Sequence, residues 1–472
     1  MKKIGIFWLR EDFRVLRNDA LLAATNNHDN TVVIYIYKKK KFLNKEAQSW
    51  WIYQSIKNFR DDLRKFNINL QVLSAENYID IFKTLFKKKD FKIYWNKIYE
   101  PDYLRFDEVI KKKLMDNQIE FKIFKGNVLN EFNEVKKGDN TPFKVFTPFW
   151  RAAENVFLDK IPPKLRQIKK SKKLMNYFKS EVELKKIFPQ KKWHSKFEKI
   201  WKPNEKTGLK KLDEFLSQRA NDYANNRNIP HITGTSRLSP FIKNGQLHVE
   251  TIWLESKKYK IDKNNLKKYL AEIGWREFSH SLINYFPYML KSNYSKKFDK
   301  FPWQKNDKLL NSWKEGKTGY PIVDAGMREI YETGWMHNRV RMIVGSFLVK
   351  HLLIDWREGE NYFRNCLVDF SEANNVSGWQ WVAGSGADAA PYFRIFNPIL
   401  QGEKFDKNGD YVKKWIPELS KIPNKFIHKP WEIDEKISKE LNFIIGKDYP
   451  LPVVDHNFAR ERALKAFKKI SK

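Results

Sequence analysis

Between Trp313 and Leu419 the chain sets Trp, Asn, Arg and Met at helical intervals around glycine breaks. The run opens WKEGKTGYPIVDAGMREIYETGWMHNRVRM, passes DWREGENYF and reaches NNVSGWQWVAGSGADAAPYFRIFNP. These residue types suit a buried aromatic redox group that faces a nucleic acid. Trp335, Asn338, Arg339 and Met342 follow i, i+3, i+4, i+7, one stripe of one predicted helix. A stripe of that spacing is usually core, but a dry core does not accept Asn and Arg without partners. The alternative is a wet wall facing a ligand.

Two further groups carry chemistry. In Glu272-x-x-Trp275-Arg276-Glu277-Phe278 the Glu and Trp are i, i+3 neighbours on one helical face. A carboxylate beside an exposed indole can bond a base edge while the ring stacks on it; the plainer reading is a packed Trp and a surface Glu. In TGTSRLSP (233–240), Thr235, Ser236, Arg237 and Ser239 precede a helical stretch. Hydroxyls, backbone N–H groups and an Arg at a helix start form a cradle for a pyrophosphate, or an ordinary cap with a surface Arg.

These groups need elements to hold them. The first ~130 residues alternate strand and helix signals. Strands are expected at Ile4–Trp8, Thr31–Tyr37, Asn69–Leu73, Lys92–Trp95 and Phe121–Phe124, with a helix over Ala47–Phe66 carrying Trp50, Trp51, Ile56 and Leu63 as its core stripe. The alternation predicts an α/β domain with a doubly wound parallel sheet over 1–130. Gly5 stands alone after the chain start, so no G-x-G-x-x-G dinucleotide turn follows the first strand. From 131 to 205 the pattern loosens around Pro162, Pro163, Pro189 and Pro203 and the basic clusters Lys169–Lys173 and Lys185–Lys192, a long connector with short helices. Over 206–472 strand signals fade and an all-α domain is expected.

Composition narrows the classes. A chain of 472 residues with 42% hydrophobic content is globular and long enough for two or three domains. No apolar run reaches membrane length, and the basic N-terminus lacks a signal-type apolar core. The single cysteine, Cys366, excludes a disulfide framework and a thiolate metal cluster; no metal site is expected, and the expected setting is a reducing cytoplasm. The net charge of +34 points to a polyanionic partner, although the abundance of Lys, Asn and Ile also fits AT-rich coding.

The motifs closely resemble the photolyase/cryptochrome family of flavoproteins, weakly over 1–200 and densely from 223 to 419. The wording is most like the class I members that act on cyclobutane pyrimidine dimers. The resemblance implies an N-terminal antenna domain, a connector and a helical domain that holds FAD, with the reduced cofactor donating an electron under light to a dimer flipped out of DNA. It implies FAD contacts from Tyr223, Thr235, Ser236, Arg237, Leu238, Ser239, Arg276, Arg341 and Asp369, with Arg341 pairing Asp369. Asn375 takes the position that faces flavin N5, where plant-type cryptochromes have Asp and insect types Cys. Arg227, Glu272, Trp275, Asn338, Arg339, Met342, Trp381 and Gln401 become lesion or DNA contacts, with Glu272, Asn338, Met342 and Asn375 catalytic. Trp303, Trp356 and Trp379 match the electron-transfer triad.

The family also sorts substrates. Enzymes for the (6-4) photoproduct carry two histidines in the 337–342 helix; here only His337 is present and position 342 is Met. Two departures stand out. Ser371 replaces an acidic residue found in many relatives two positions after Asp369. Asp102 and Tyr103 stand where one relative type has an Asn-Glu pair for a folate antenna, while Lys291 matches a folate-side contact; a folate- or deazaflavin-type antenna stays open. The implied enzyme is a deoxyribodipyrimidine photo-lyase, a carbon–carbon lyase acting as a monomer on UV-damaged DNA; the alternative is an FAD-binding blue-light receptor without repair activity.

Overall fold

A computed structural model of the chain describes residues 4–471, apart from 43, 77, 87–89, 161–164, 180, 189–190 and 390–392. Pro162, Pro163 and Pro189, expected to break the connector, lie outside the described residues. By compactness the chain forms two units, each discontinuous in sequence: Met1–Ala220 with Ser236–Pro287 and Val368–Ser371, and Asn221–Thr235 with Tyr288–Leu367 and Glu372–Lys472.

The first unit holds a five-stranded parallel sheet, β1 (Ile4–Leu9), β2 (Thr31–Tyr37), β3 (Asn69–Ser74), β4 (Phe91–Asn96) and β5 (Glu120–Phe124), in the order β3-β2-β1-β4-β5. The helices between the strands are α1 (Asp19–Asn26), α2 (Glu46–Arg64), α3 (Tyr78–Phe86) and α4 (Pro101–Asp116). Successive residues feed opposite layers, as the pleat demands. Phe7, Leu9, Val33 and Tyr35 enter one core, and Ile6, Trp8, Val32 and Ile34 the other. A sheet covered on both faces explains why β2 is an unbroken apolar run.

The loops after β1 and β4 meet at the C-terminal edge of the sheet, where such folds commonly bind ligands. Protein groups occupy it here: Arg10 Nη1 donates to Asp107 Oδ1 at 2.8 Å, Trp95 Nε1 to Asp107 Oδ2 at 3.3 Å, and Asn96 Nδ2 to Asp12. Past the sheet come α5 (Phe146–Leu158), α6 (Glu205–Gln218), the single turn α7 (Ser239–Lys243) and the long α8 (Lys263–Tyr285). The basic stretch near Lys172 is tied to the sheet domain: Ser171 N donates to Phe66 O and Lys172 N to Asp29 O.

The second unit is helical; its site-bearing helices are α9 (Pro321–Thr333), α10 (Asn338–Ser346), α11 (Trp356–Cys366), α12 (Glu372–Ala383), α13 (Pro398–Phe405) and α14 (His456–Ser471). No described helix is long and apolar enough to cross a membrane. A π-helical turn, Phe347–His351, follows α10. From it the buried His351 meets His456, the first residue of α14, with Nε2 and Nδ1 2.9 Å apart. One imidazole donates and the other accepts, so the acceptor must be neutral and the two cannot both be protonated.

Burial, then the neighbouring His456 and Arg462, push His351 down to about 3, below the ~6.5 of an unfolded histidine. The neutral pair therefore contributes its full stability above pH ~6.5 and loses it as pH falls toward 3. We predict that the urea midpoint drops across that window and that His351→Asn flattens the drop; an equally steep profile in the variant would remove the pair as its cause.

Candidate functional site

The expected phosphate cradle lies mostly in the first unit. Arg237 adopts a left-handed backbone, φ 52°, which turns the chain into α7. The turn is only five residues long, so little dipole is available and side chains carry the electrostatics. Ser239 Oγ donates to Asp369 Oδ2 at 2.6 Å. Leu238 is buried behind them, and Ser236 reaches the Tyr269 hydroxyl. Burial lowers Lys211 and Arg219 of the α6 region, and the charge of Arg237 lowers both further against an opposing pull from the Glu214 carboxylate. Three cations that repel one another fit an anion, and a pyrophosphate would relieve the repulsion. Ser371 is buried with its hydroxyl unbonded to any described protein group. A lone hydroxyl tolerates that far better than a carboxylate would.

On α8, Trp275 is 37% exposed and Glu272, one turn earlier, is half-buried. Arg276, expected at the cofactor, donates from Nη1 to Glu277 Oε1 at 2.9 Å, and Glu277 in turn accepts from Leu129 N. The helix thus has an anchored polar face and an exposed aromatic one.

In the second unit the predicted stripe needs a correction. Trp335 is not on the helix of Asn338: Gly334 ends α9 with φ 69°, and His337 begins α10 by accepting from Arg339 N through Nδ1. A glycine stop and a histidine cap between them outweighed the apolar spacing. Asn338, Arg339, Arg341 and Met342 do share α10. Asn338 is exposed and Met342 half-buried. Arg339 donates through Nε and Nη2 to Asn228 Oδ1, at 3.3 and 2.8 Å, and its guanidinium sits 4.6 Å from the Phe405 ring. Phe405 ends α13, the helix of Gln401. Arg227 lies over the buried Tyr223 ring at 5.4 Å, Thr235 is half-buried, and Arg341 Nε donates to Met336 O at 2.8 Å.

Asn375 lies in the first turn of α12. Its Nδ2 donates to Glu360 O at 3.2 Å and Glu360 Oε1 at 3.0 Å. Both partners accept, which fixes the amide orientation and leaves Oδ1 as its acceptor end. Arg364 holds Glu360 at 2.9 Å and Glu372 at 3.0 Å. Burial raises Glu360 despite that arginine.

The three matched tryptophans grade from interior to surface. Trp379 and Trp356 are buried and Trp303 is half-buried against Phe301. Trp356 Nε1 donates to Asn293 Oδ1 at 2.9 Å, whereas the Trp379 indole N–H is buried without a hydrogen bond. Trp379 packs on α11 at Gly359, three residues beyond Trp356; a Cβ there would come within 2.1 Å of the indole. Its ring neighbours are Phe363 at 5.1 Å and Trp313 at 6.1 Å. Trp381, half-buried on α12, lines a shallow open pocket with Lys350 and Arg394. Glu360, Trp313, Lys211 and Arg219 were not singled out from sequence; only their contacts reveal them. At the questioned antenna positions, Asp102 is exposed and paired with Arg105, while Tyr103 lies 5.9 Å beneath the Arg10 guanidinium. Lys291 is exposed.

The first unit is built on a parallel α/β sheet, and the second is helical with Trp313, Trp356 and Trp379 buried in it. Residues 269–469 match the FAD binding domain of DNA photolyase and residues 5–167 match DNA photolyase. The chain is 42% identical to a deoxyribodipyrimidine photo-lyase of Agrobacterium fabrum over 99% of its own length and 98% of that protein's. It is 31% identical to cryptochrome-2 of Arabidopsis thaliana, over 99% of this chain and 79% of the other. It superposes with TM-score 0.94 on a bacterial class III photolyase from Agrobacterium tumefaciens, 40% identical, covering 100% of this chain and 98% of that one. The chain belongs to the DNA photolyase/cryptochrome family and carries its FAD-binding domain. The class I wording of the sequence and the class III description of that neighbour differ, and family membership is what they share.

If Arg237 serves the FAD phosphates, Arg237→Ala should weaken FAD retention about tenfold, the worth of one charge-assisted hydrogen bond. Fluorescence titration of apoprotein with FAD measures this; an unchanged Kd would remove Arg237 from the contacts.

Proposed function

We propose that the chain is a deoxyribodipyrimidine photo-lyase that splits cyclobutane pyrimidine dimers in UV-damaged DNA. The observation that carries this reading is Trp275: among the described residues it is the one Trp counted as exposed, held on a rigid helix with Glu272 one turn away. Leaving an indole in water costs roughly 2–3 kcal/mol of forgone burial. A base that stacks on it recovers much of that cost.

When bound and reduced, FAD would supply light-driven one-electron chemistry for opening the cyclobutane ring, with no net redox change. The rest falls to side chains of this chain. Arg237, Ser236 and Ser239, with Thr235, Tyr223, Leu238, Arg276, Arg341 and Asp369, hold the cofactor. Asn375 presents a carbonyl oxygen, because Glu360 has taken its amide N–H groups; an acceptor there suits a cofactor N–H and thus the reduced state. Asn338, Met342 and Trp381 are the dimer contacts of the second unit, and Trp275 and Glu272 those of the first, the indole by stacking and the carboxylate by hydrogen bonding. Arg227, Arg339 and Gln401 engage the DNA strand, and the +34 charge makes affinity fall with salt. The single imidazole of this stretch, His337, is committed as a helix cap, which favours cyclobutane dimers over (6-4) photoproducts.

Under blue light the photoreduced protein should restore thymines in a dimer-containing oligonucleotide, read as recovery of absorbance near 260 nm. Binding without recovery would favour the blue-light receptor, a reading that the similarity to a cryptochrome keeps in play. Trp303→Phe should slow photoreduction of oxidised FAD at least tenfold yet leave repair by chemically reduced protein at the wild-type rate. Equal loss of both would contradict an electron-supply role for Trp303.

A further inference from the structure

One face of Trp275 is already taken. The Phe146 ring lies over it with centroids 3.7 Å apart and planes 8° from parallel. Aromatic pairs prefer offset or edge-to-face arrangements to a direct sandwich, so ring preference alone does not produce this stack. The backbone imposes it. Phe146 and Trp150 are one helical turn apart at the start of α5 and share a face. Trp150 lies on α8 at Gly274, where an added Cβ would come within 2.5 Å of its ring. The missing side chain lets α5 close onto α8 beside Trp275, and that docking delivers Phe146 to the indole.

The neighbourhood locks the pair. Phe278 stands edge-on to Phe146 and to Trp275, at 6.0 Å from each. Phe149 meets Phe278 at 5.2 Å. Yet the stack remains at the surface: Val145, Thr147 and Pro148 are exposed and Phe146 is half-buried. All these residues belong to the first unit. An indole backed in this way offers a ligand one face only, in a plane set before the ligand arrives, and ordering costs on binding fall accordingly.

We infer that Phe146 is a positioning residue for dimer recognition, backing Trp275 so that the free face of the indole receives one ring of the damaged pair. The inference rests on the reading of Trp275 as the lesion-stacking residue. It adds a contribution from the segment between the sheet domain and the helical part of the chain.

The test uses FAD-loaded protein and single-stranded oligonucleotides, one with a single thymine dimer and one undamaged, with affinities read by anisotropy. Phe146→Ala, and Phe146→Leu as the variant that keeps apolar cover without a plane, should weaken dimer binding about three- to tenfold. Undamaged-strand affinity, FAD content and unfolding midpoint should hold, and the loss should fall on KM rather than kcat. Phe146→Tyr should restore the wild-type ratio of damaged to undamaged affinity. Equal weakening for both strands, or an unchanged ratio in Phe146→Leu while Trp275→Ala lowers it, overturns the inference. An unchanged ratio in Trp275→Ala overturns the lesion reading of Trp275 itself, and the role of Phe146 with it.

Discussion

The solvent-exposed indole of Trp275 is the constraint on which the packing of α5 against α8 depends. A protein with 17 tryptophans buries or half-buries the others that are described and leaves this one in water. Burial would be favourable by a few kcal/mol, so the fold must hold the ring out. It does so from the helix beneath: Glu277 is fixed by Leu129 N and Arg276, which sets the rotation of α8 and turns Trp275 and Glu272 outward. Gly274 admits α5, and Phe146 stiffens the indole from behind.

The flavin side depends on a different kind of control, the assignment of hydrogen-bond donors. Glu360, buried and paired with Arg364, accepts from the Asn375 amide and leaves that residue an acceptor toward the ligand. Lys211, Arg219 and Arg237 store mutual repulsion in a partly buried cluster that an anion would release. The cationic cluster suits an anion, and the Asn375 carbonyl suits an N–H donor.

Much of this was legible in the sequence, for physical reasons that differ by element. The five strands are β-rich runs bounded by turns, and each lies within a residue or two of its expected limits. Asn338 to Met342 kept their helix because the local spacing is helical. Trp335 did not, because a left-handed Gly334 and the His337 cap are stronger local signals than apolar period. The role of Phe146 was hidden, since it depends on a contact between residues 129 positions apart that only Gly274 permits. The orientation of Asn375 was hidden too: its type suits the flavin, but which end of the amide faces outward depends on Glu360. The cationic group beside Arg237 joins Lys211 and the cap residue Arg219 of α6 to a turn residue further along the chain, a contact no sequence period marks.

The central claim is that light drives dimer opening with an electron that is lent and returned. The direct test is a single-turnover experiment under anaerobic conditions, with chemically reduced, FAD-loaded protein and one equivalent of dimer-containing oligonucleotide. The account predicts that dimers disappear only under illumination while the flavin absorption returns unchanged after each flash. Dimer loss in darkness, or flavin oxidation in step with dimer loss, would contradict it.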